Sequence, residues 1–120
     1  MTKKSHLINV GRHPAGFLEG RPRAGSGRHG EILASFLQSE VQGDLATARE
    51  FLDEIASAER GDPPRLGGVG NAFSIAVAPD GAVIRNAVVE GATPERYSLG
   101  ELRAALEDWI AATERAQSRG

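Results

Sequence analysis

Six glycines (Gly11, Gly16, Gly20, Gly25, Gly27, Gly30) and two prolines (Pro14, Pro22) crowd the first thirty residues of this 120-residue chain. In a helix interior glycine costs about 1 kcal/mol and proline about 3 kcal/mol relative to alanine, so helix cannot propagate through such a segment. Short strand or loop remains. His6-Leu7-Ile8-Asn9-Val10 has the β-branched content of a strand, and Ala15-Gly16-Phe17-Leu18-Glu19 is placed to return against it. The stretch from Gly20 to Arg28 reads as a mobile basic loop. A chain of this length makes one domain of ordinary size. Residues 1–30 are therefore expected to be a basic, glycine-rich leader, partly strand or loop, and residues 31–120 a single α+β domain.

At Glu31 the apolar period changes. Ile32, Leu33, Phe36, Leu37 and Val41 recur at intervals of three and four, the spacing of one helical face. Gln42-Gly43-Asp44 interrupts the run, and Asp44 suits the N-cap of a second stretch striped by Leu45, Ala48, Leu52, Ile55 and Ala56. Helix is thus expected over 31–60, either bent or divided at that point. Residues 61–71 read as a linker. Beyond it Phe73, Ile75 and Val77 alternate with smaller or polar residues, as in a half-buried strand, and Ala82–Val89 reads as its partner. Pro79-Asp80-Gly81 joins them in a hairpin over 72–89, with Gly81 in the left-handed bulge of a three-residue loop. Ser98-Leu99-Gly100-Glu101 is a capping box that opens a helix over 99–116, with Leu102, Ala105, Leu106, Trp109, Ile110 and Thr113 on its apolar face. The expected fold is α+β, an antiparallel sheet including this hairpin, covered on one side by helices.

With no cysteine in the chain, disulfide frameworks, thiolate nucleophiles and thiolate metal sites are closed off. No apolar run approaches the roughly 18 residues of a membrane span, and Leu7–Val10 is too short for a signal peptide, which points to a cytoplasmic protein. His6, His13 and His29 lack the spacing of a zinc site. Gly67-Gly68-Val69-Gly70 lacks the lysine of a phosphate-binding loop and leads into a strand, where phosphate cradles open a helix. No nucleophile elbow or Ser/His/Asp arrangement supports hydrolysis. The expectation is a protein that is not an enzyme and needs no cofactor or metal.

Charge divides the chain. Residues 1–30 carry six Lys/Arg against the single acid Glu19, a balance of +5; residues 31–120 carry eight Arg against fifteen acids, a balance of −7. A net-acidic body disfavours binding to nucleic acid phosphates. On a helical wheel Glu50, Asp53, Glu54 and Ser57 share the face opposite Leu45, Leu52 and Ile55, and Glu101, Glu107, Asp108 and Glu114 lie away from the apolar stripe of the last helix. Such faces serve solubility, or they dock a basic partner by charge complementarity. The candidate docking residues are Glu50, Asp53, Glu54, Glu107 and Asp108.

One resemblance bears on the partner. It is carried by Phe36-Leu37-Gln38-Ser39-Glu40-Val41-Gln42-Gly43-Asp44-Leu45, Gly70-Asn71-Ala72-Phe73-Ser74-Ile75, Pro79-Asp80-Gly81-Ala82-Val83-Ile84, and Tyr97-Ser98-Leu99 through Leu106-Glu107-Asp108-Trp109-Ile110. In this order, from about Gly27 to Thr113, the chain resembles the small bacterial YacL-like proteins and the related immunity proteins of contact-dependent and polymorphic toxin systems. Its leader departs from the opening strands of that pattern. The resemblance implies a non-catalytic inhibitor of one cognate toxin C-terminal domain, commonly a nuclease with a basic groove that acidic helix faces would fill. The alternatives are a nucleic-acid-binding accessory protein using the basic leader, and a housekeeping YacL-like domain or small-molecule binder.

Overall fold

A computed structural model describes residues 5–42, 44–63, 65–69 and 72–118. Gly43, Gly70 and Asn71 of the motifs above lie outside the described residues. The elements run β1 (Ile8–Arg12), β2 (Leu18–Pro22), α1 (Gly27–Phe36), a π-helical turn (Leu37–Val41), α2 (Leu45–Glu59), β3 (Arg65–Val69), β4 (Phe73–Ala78), β5 (Gly81–Asn86), β6 (Glu95–Tyr97) and α3 (Leu99–Ser118). The class is α+β, with two antiparallel sheets: β1 pairs with β2, and β3-β4-β5-β6 form a four-stranded sheet in sequence order. Among the described residues no helix is long and apolar enough to cross a membrane.

Alternation explains how the larger sheet meets the helices. Phe73, Ile75 and Val77 on β4 and Ala82 and Ile84 on β5 are buried, while the residues between them are partly or fully exposed. The covered face packs against α2 at β4 and against α1 and α3 at β5. Phe36 of α1 lies edge-on to both Phe51 of α2 and Phe73 of β4, with ring centroids 5.4 and 6.3 Å away. Edge-to-face packing of this kind aligns the rim of one ring with the negative face of another.

The helical stretch divides into two. The π-helical turn closes with the Gln42 amide donating to the Leu37 carbonyl at 2.9 Å, and Gln42 then takes a left-handed φ of 50° that breaks the run. Asp44 restarts it as the expected N-cap, accepting from the amides of Ala46 and Thr47 and from the Thr47 hydroxyl. The same hydroxyl and the Thr47 amide hold the Asp44 carboxyl below the usual carboxylate range. From the π-helical turn Glu40 reaches over the sheet, its Oε1 accepting from the amides of Ala72 and Phe73 at 2.7 and 2.8 Å.

Several boundaries differ from the sequence expectation. Helix begins at Gly27, four residues before Glu31, because Gly27 and Gly30 sit in the first turn, where few intrahelical bonds are at stake. Part of the expected linker is strand: Arg65–Val69 pairs with β4 through its backbone, a contact that glycines make without any side-chain signal. β5 stops at Asn86, short of Val89. The Asn86 side-chain oxygen accepts from the amides of Val88 and Val89, turning the chain away and leaving those valines 70% and 56% exposed.

The hairpin itself is tighter than expected. Ala78 and Gly81 pair directly, so the loop is Pro79-Asp80 alone and Gly81 already belongs to β5. Its φ is 139°, and a Cβ there would sit 2.7 Å from the Tyr97 carbonyl oxygen of β6. Gly81→Ala is therefore expected to lower stability by about 1–3 kcal/mol through strain and overpacking. A chemical denaturation midpoint reads this loss.

The leader is also different. Gly20–Pro22 is strand, and the Gly20 amide and Leu18 carbonyl on the outer edge of β2 are satisfied by the Gln38 carboxamide at 2.9 and 2.7 Å. Ile8 is fully buried, and Gly30 meets the Leu7 carbonyl so closely that a Cβ would lie 2.7 Å from it. The leader, expected to be strand or loop with a mobile stretch from Gly20 to Arg28, thus packs on the same core through backbone and side-chain bonds that its composition does not reveal.

Candidate functional site

Glu50 and Asp53 project from α2 into solvent, as the helical wheel requires. Glu54 is half-buried, and Ser57 is buried, donating from its hydroxyl to Asp62 at 2.7 Å. The four-residue face therefore narrows to its exposed half. α2 and α3 pack antiparallel, tied at one end by Arg49 to Glu114 at 3.4 Å and at the other by Arg103 to Glu59. A third arginine, Arg60 just beyond α2, pairs with Asp62 at 3.4 Å. Among the described residues Glu50 and Asp53 have no ion-pair partner.

On α3 the two predicted carboxylates part company. Glu107 is half-buried beside the groove between α3 and the leader. Asp108 faces that groove, where it accepts from the Ser5 amide at 2.8 Å, and Arg23 and Arg115 line the same depression. Asp108 is thus a structural acceptor among cations, and the five predicted residues do not form one continuous acidic surface. Sequence spacing could not show this, because the Ser5 bond spans 103 residues.

Lys3 and Lys4 lie outside the described residues, and three of the four leader arginines are similarly committed. Arg23 donates from Nε to the carbonyls of Ser5 and Ile8 at 2.9 and 3.1 Å. Arg28 binds Glu95 at 3.0 Å and the Thr93 carbonyl, and Arg21 pairs with Glu19. Arg12 remains exposed.

A polar cluster surrounds His29, in the first turn of α1. Nδ1 lies 2.9 Å from Glu95 Oε1 of β6, and Nε2 lies 3.4 Å from Glu101 Oε2 of α3. The ring stacks on Tyr97, with centroids 4.1 Å apart, and the Tyr97 hydroxyl donates to the His29 carbonyl at 2.6 Å. The His29 bond, opposed by partial burial and aided by Arg28, holds Glu95 below the usual carboxylate range. Burial raises the Glu101 carboxyl, but bonds from the Ser98 amide and His29 outweigh it and leave the group lowered. Burial, then the neighbouring charges of Glu95 and Glu101, push the Tyr97 phenol up, so it stays neutral. Glu101 is legible as a capping residue, and its bonds with Ser98 are as expected. His29 has no local signal, since its carboxylate partners lie 66 residues away or more.

Among the described residues no three of His, Asp and Glu converge as a metal site. No protein family, curated protein or solved structure matches the chain.

Proposed function

We propose that the chain is a non-catalytic inhibitor of the immunity type, acting in the cytoplasm and binding a basic surface of a cognate toxin C-terminal domain, such as the substrate groove of a nuclease. The observation that carries this reading is the pair Glu50 and Asp53, exposed on α2 and without ion-pair partners among the described residues. The neighbouring arginines are neutralised elsewhere: Arg49 by Glu114, Arg103 by Glu59 and Arg60 by Asp62. Complementary charge of this kind steers encounter and fixes orientation more than it adds affinity. Glu107 lies beside the groove between α3 and the leader, and Asp108 and Glu54 are half-buried.

The nucleic-acid reading is weakened by the same accounting. Arg21, Arg23 and Arg28 are held by Glu19, by backbone carbonyls and by Glu95, which leaves the leader few free cations among the described residues to track phosphates.

Capture from the native host separates the two. The inhibitor reading expects one basic protein domain in stoichiometric amount; the accessory reading expects RNA or DNA that washes off in salt. With that partner in hand, Glu50→Lys combined with Asp53→Lys is expected to slow association by about tenfold or more at low salt, with the difference shrinking as salt screens the charges. An unchanged association rate in a folded variant would overturn the assignment of α2 as the docking face.

A further inference from the structure

The allocation of oxygens around His29 leaves little freedom. Glu95 gives Oε2 to Arg28 and Oε1 to His29; Glu101 gives Oε1 to the Ser98 amide and Oε2 to His29. Each carboxylate is anchored by one oxygen and presents the other to a different nitrogen of the same ring. A neutral imidazole has one N–H, so it can donate to one of them while its lone pair faces the other; an imidazolium donates to both. The Tyr97 face stacked on the ring also favours a cation.

We propose that His29 is a proton-operated latch: its imidazolium ties the first turn of α1 to β6 and to the start of α3, and loss of the proton releases the Glu101 arm and loosens that corner. The Glu101 arm is the one to open because its contact is longer, 3.4 Å against 2.9 Å, and its side chain is more exposed, 40% against 21% for Glu95. The charged and titratable groups facing the ring are Glu95 and Tyr97 from β6, Glu101 from α3 and Arg28 from α1 itself. Both carboxyls are held low and the phenol is held high, so none of these three changes charge near neutral pH. This inference is independent of the toxin reading.

The sign follows from linkage. A proton that the folded chain holds through two carboxylates and the unfolded chain lacks partners for stabilises the fold at the acidic end, and that contribution is lost as pH rises. Melting temperatures of the wild type and His29→Gln, measured from about pH 5.5 to about pH 8.5, test it across the range in which histidine titrates. The wild type is expected to exceed the variant by several degrees at the acidic end, and the gap to close toward the basic end. Glu101→Gln keeps a residue suited to the capping box and supplies an amide donor to a neutral ring, so it should flatten the pH dependence. A gap that is constant or widens with pH overturns the latch. Should His29→Gln fail to fold, the wild type decides by nuclear magnetic resonance: protection of the Glu31, Ile32 and Leu33 amides, which bond the carbonyls of the first turn of α1, should fall in step with deprotonation of the His29 ring, and protection unchanged through that titration overturns the proposal.

Discussion

Trp109→Ala is expected to lower stability by about 3–5 kcal/mol, the range for removing a large aromatic from a packed core. That is a large share of the roughly 5–15 kcal/mol that holds a domain of this size together. Trp109 is 1% exposed, on the face of α3 that also buries Leu102, Leu106 and Thr113. Its indole N–H donates to the Gln42 carbonyl at the break between α1 and α2, and its ring fills the space beside Gly20, where a Cβ would lie 3.0 Å from Cζ3. One side chain therefore joins the last helix, the break after the π-helical turn and the leader. Trp109→Phe separates the contributions: it keeps most of the apolar body, and Gln42 is an exposed residue whose freed carbonyl can regain water, so the loss should be well below that for alanine. As the only tryptophan, Trp109 also reports on itself. Its emission should be blue-shifted and resistant to iodide in the folded protein. A loss below about 1 kcal/mol on truncation to alanine would show that the site collapses around the cavity.

Features written within a few residues are legible in the sequence. Asp44 and Ser98 start their helices as N-caps because the bonding partners lie two or three residues on, and the β4 alternation reports a face that is buried whatever covers it. The same locality explains the misses. Composition places β1 and β2 near His6–Val10 and Ala15–Glu19, but they run over Ile8–Arg12 and Leu18–Pro22, since glycine neither marks a register nor favours a face. β3 is recruited by β4, and the edge of β2 by Gln38, a helix residue 18 to 20 positions away. In the candidate site Glu50 and Asp53 are legible because exposure on a helix follows from its period. Asp108 and His29 are not, because each is defined by a partner from another part of the chain.

Composition and fold disagree most sharply over the leader. Were residues 1–30 an appendage, truncating one apolar side chain there would shift stability within about 0.5 kcal/mol, as surface changes do. Ile8→Ala is instead expected to cost about 2–5 kcal/mol, the cost of deleting a buried aliphatic side chain and leaving a cavity. Ile8 is 0% exposed; its amide donates to Ser5 Oγ at 3.3 Å, its carbonyl accepts from Arg23, and β1 packs against both α1 and α3. Denaturant titration measures the loss. Limited trypsin digestion supplies a second reading, because Arg23 and Arg28 lie in the stretch expected from composition to be mobile. Both arginines are bound to neighbouring strands or loops in the fold, so cleavage after them should be slow in the wild type and should quicken in Ile8→Ala as local opening becomes easier. Rapid cleavage at Arg23 in the wild type, together with a stability change within about 0.5 kcal/mol for Ile8→Ala, would return the leader to the status of a tail.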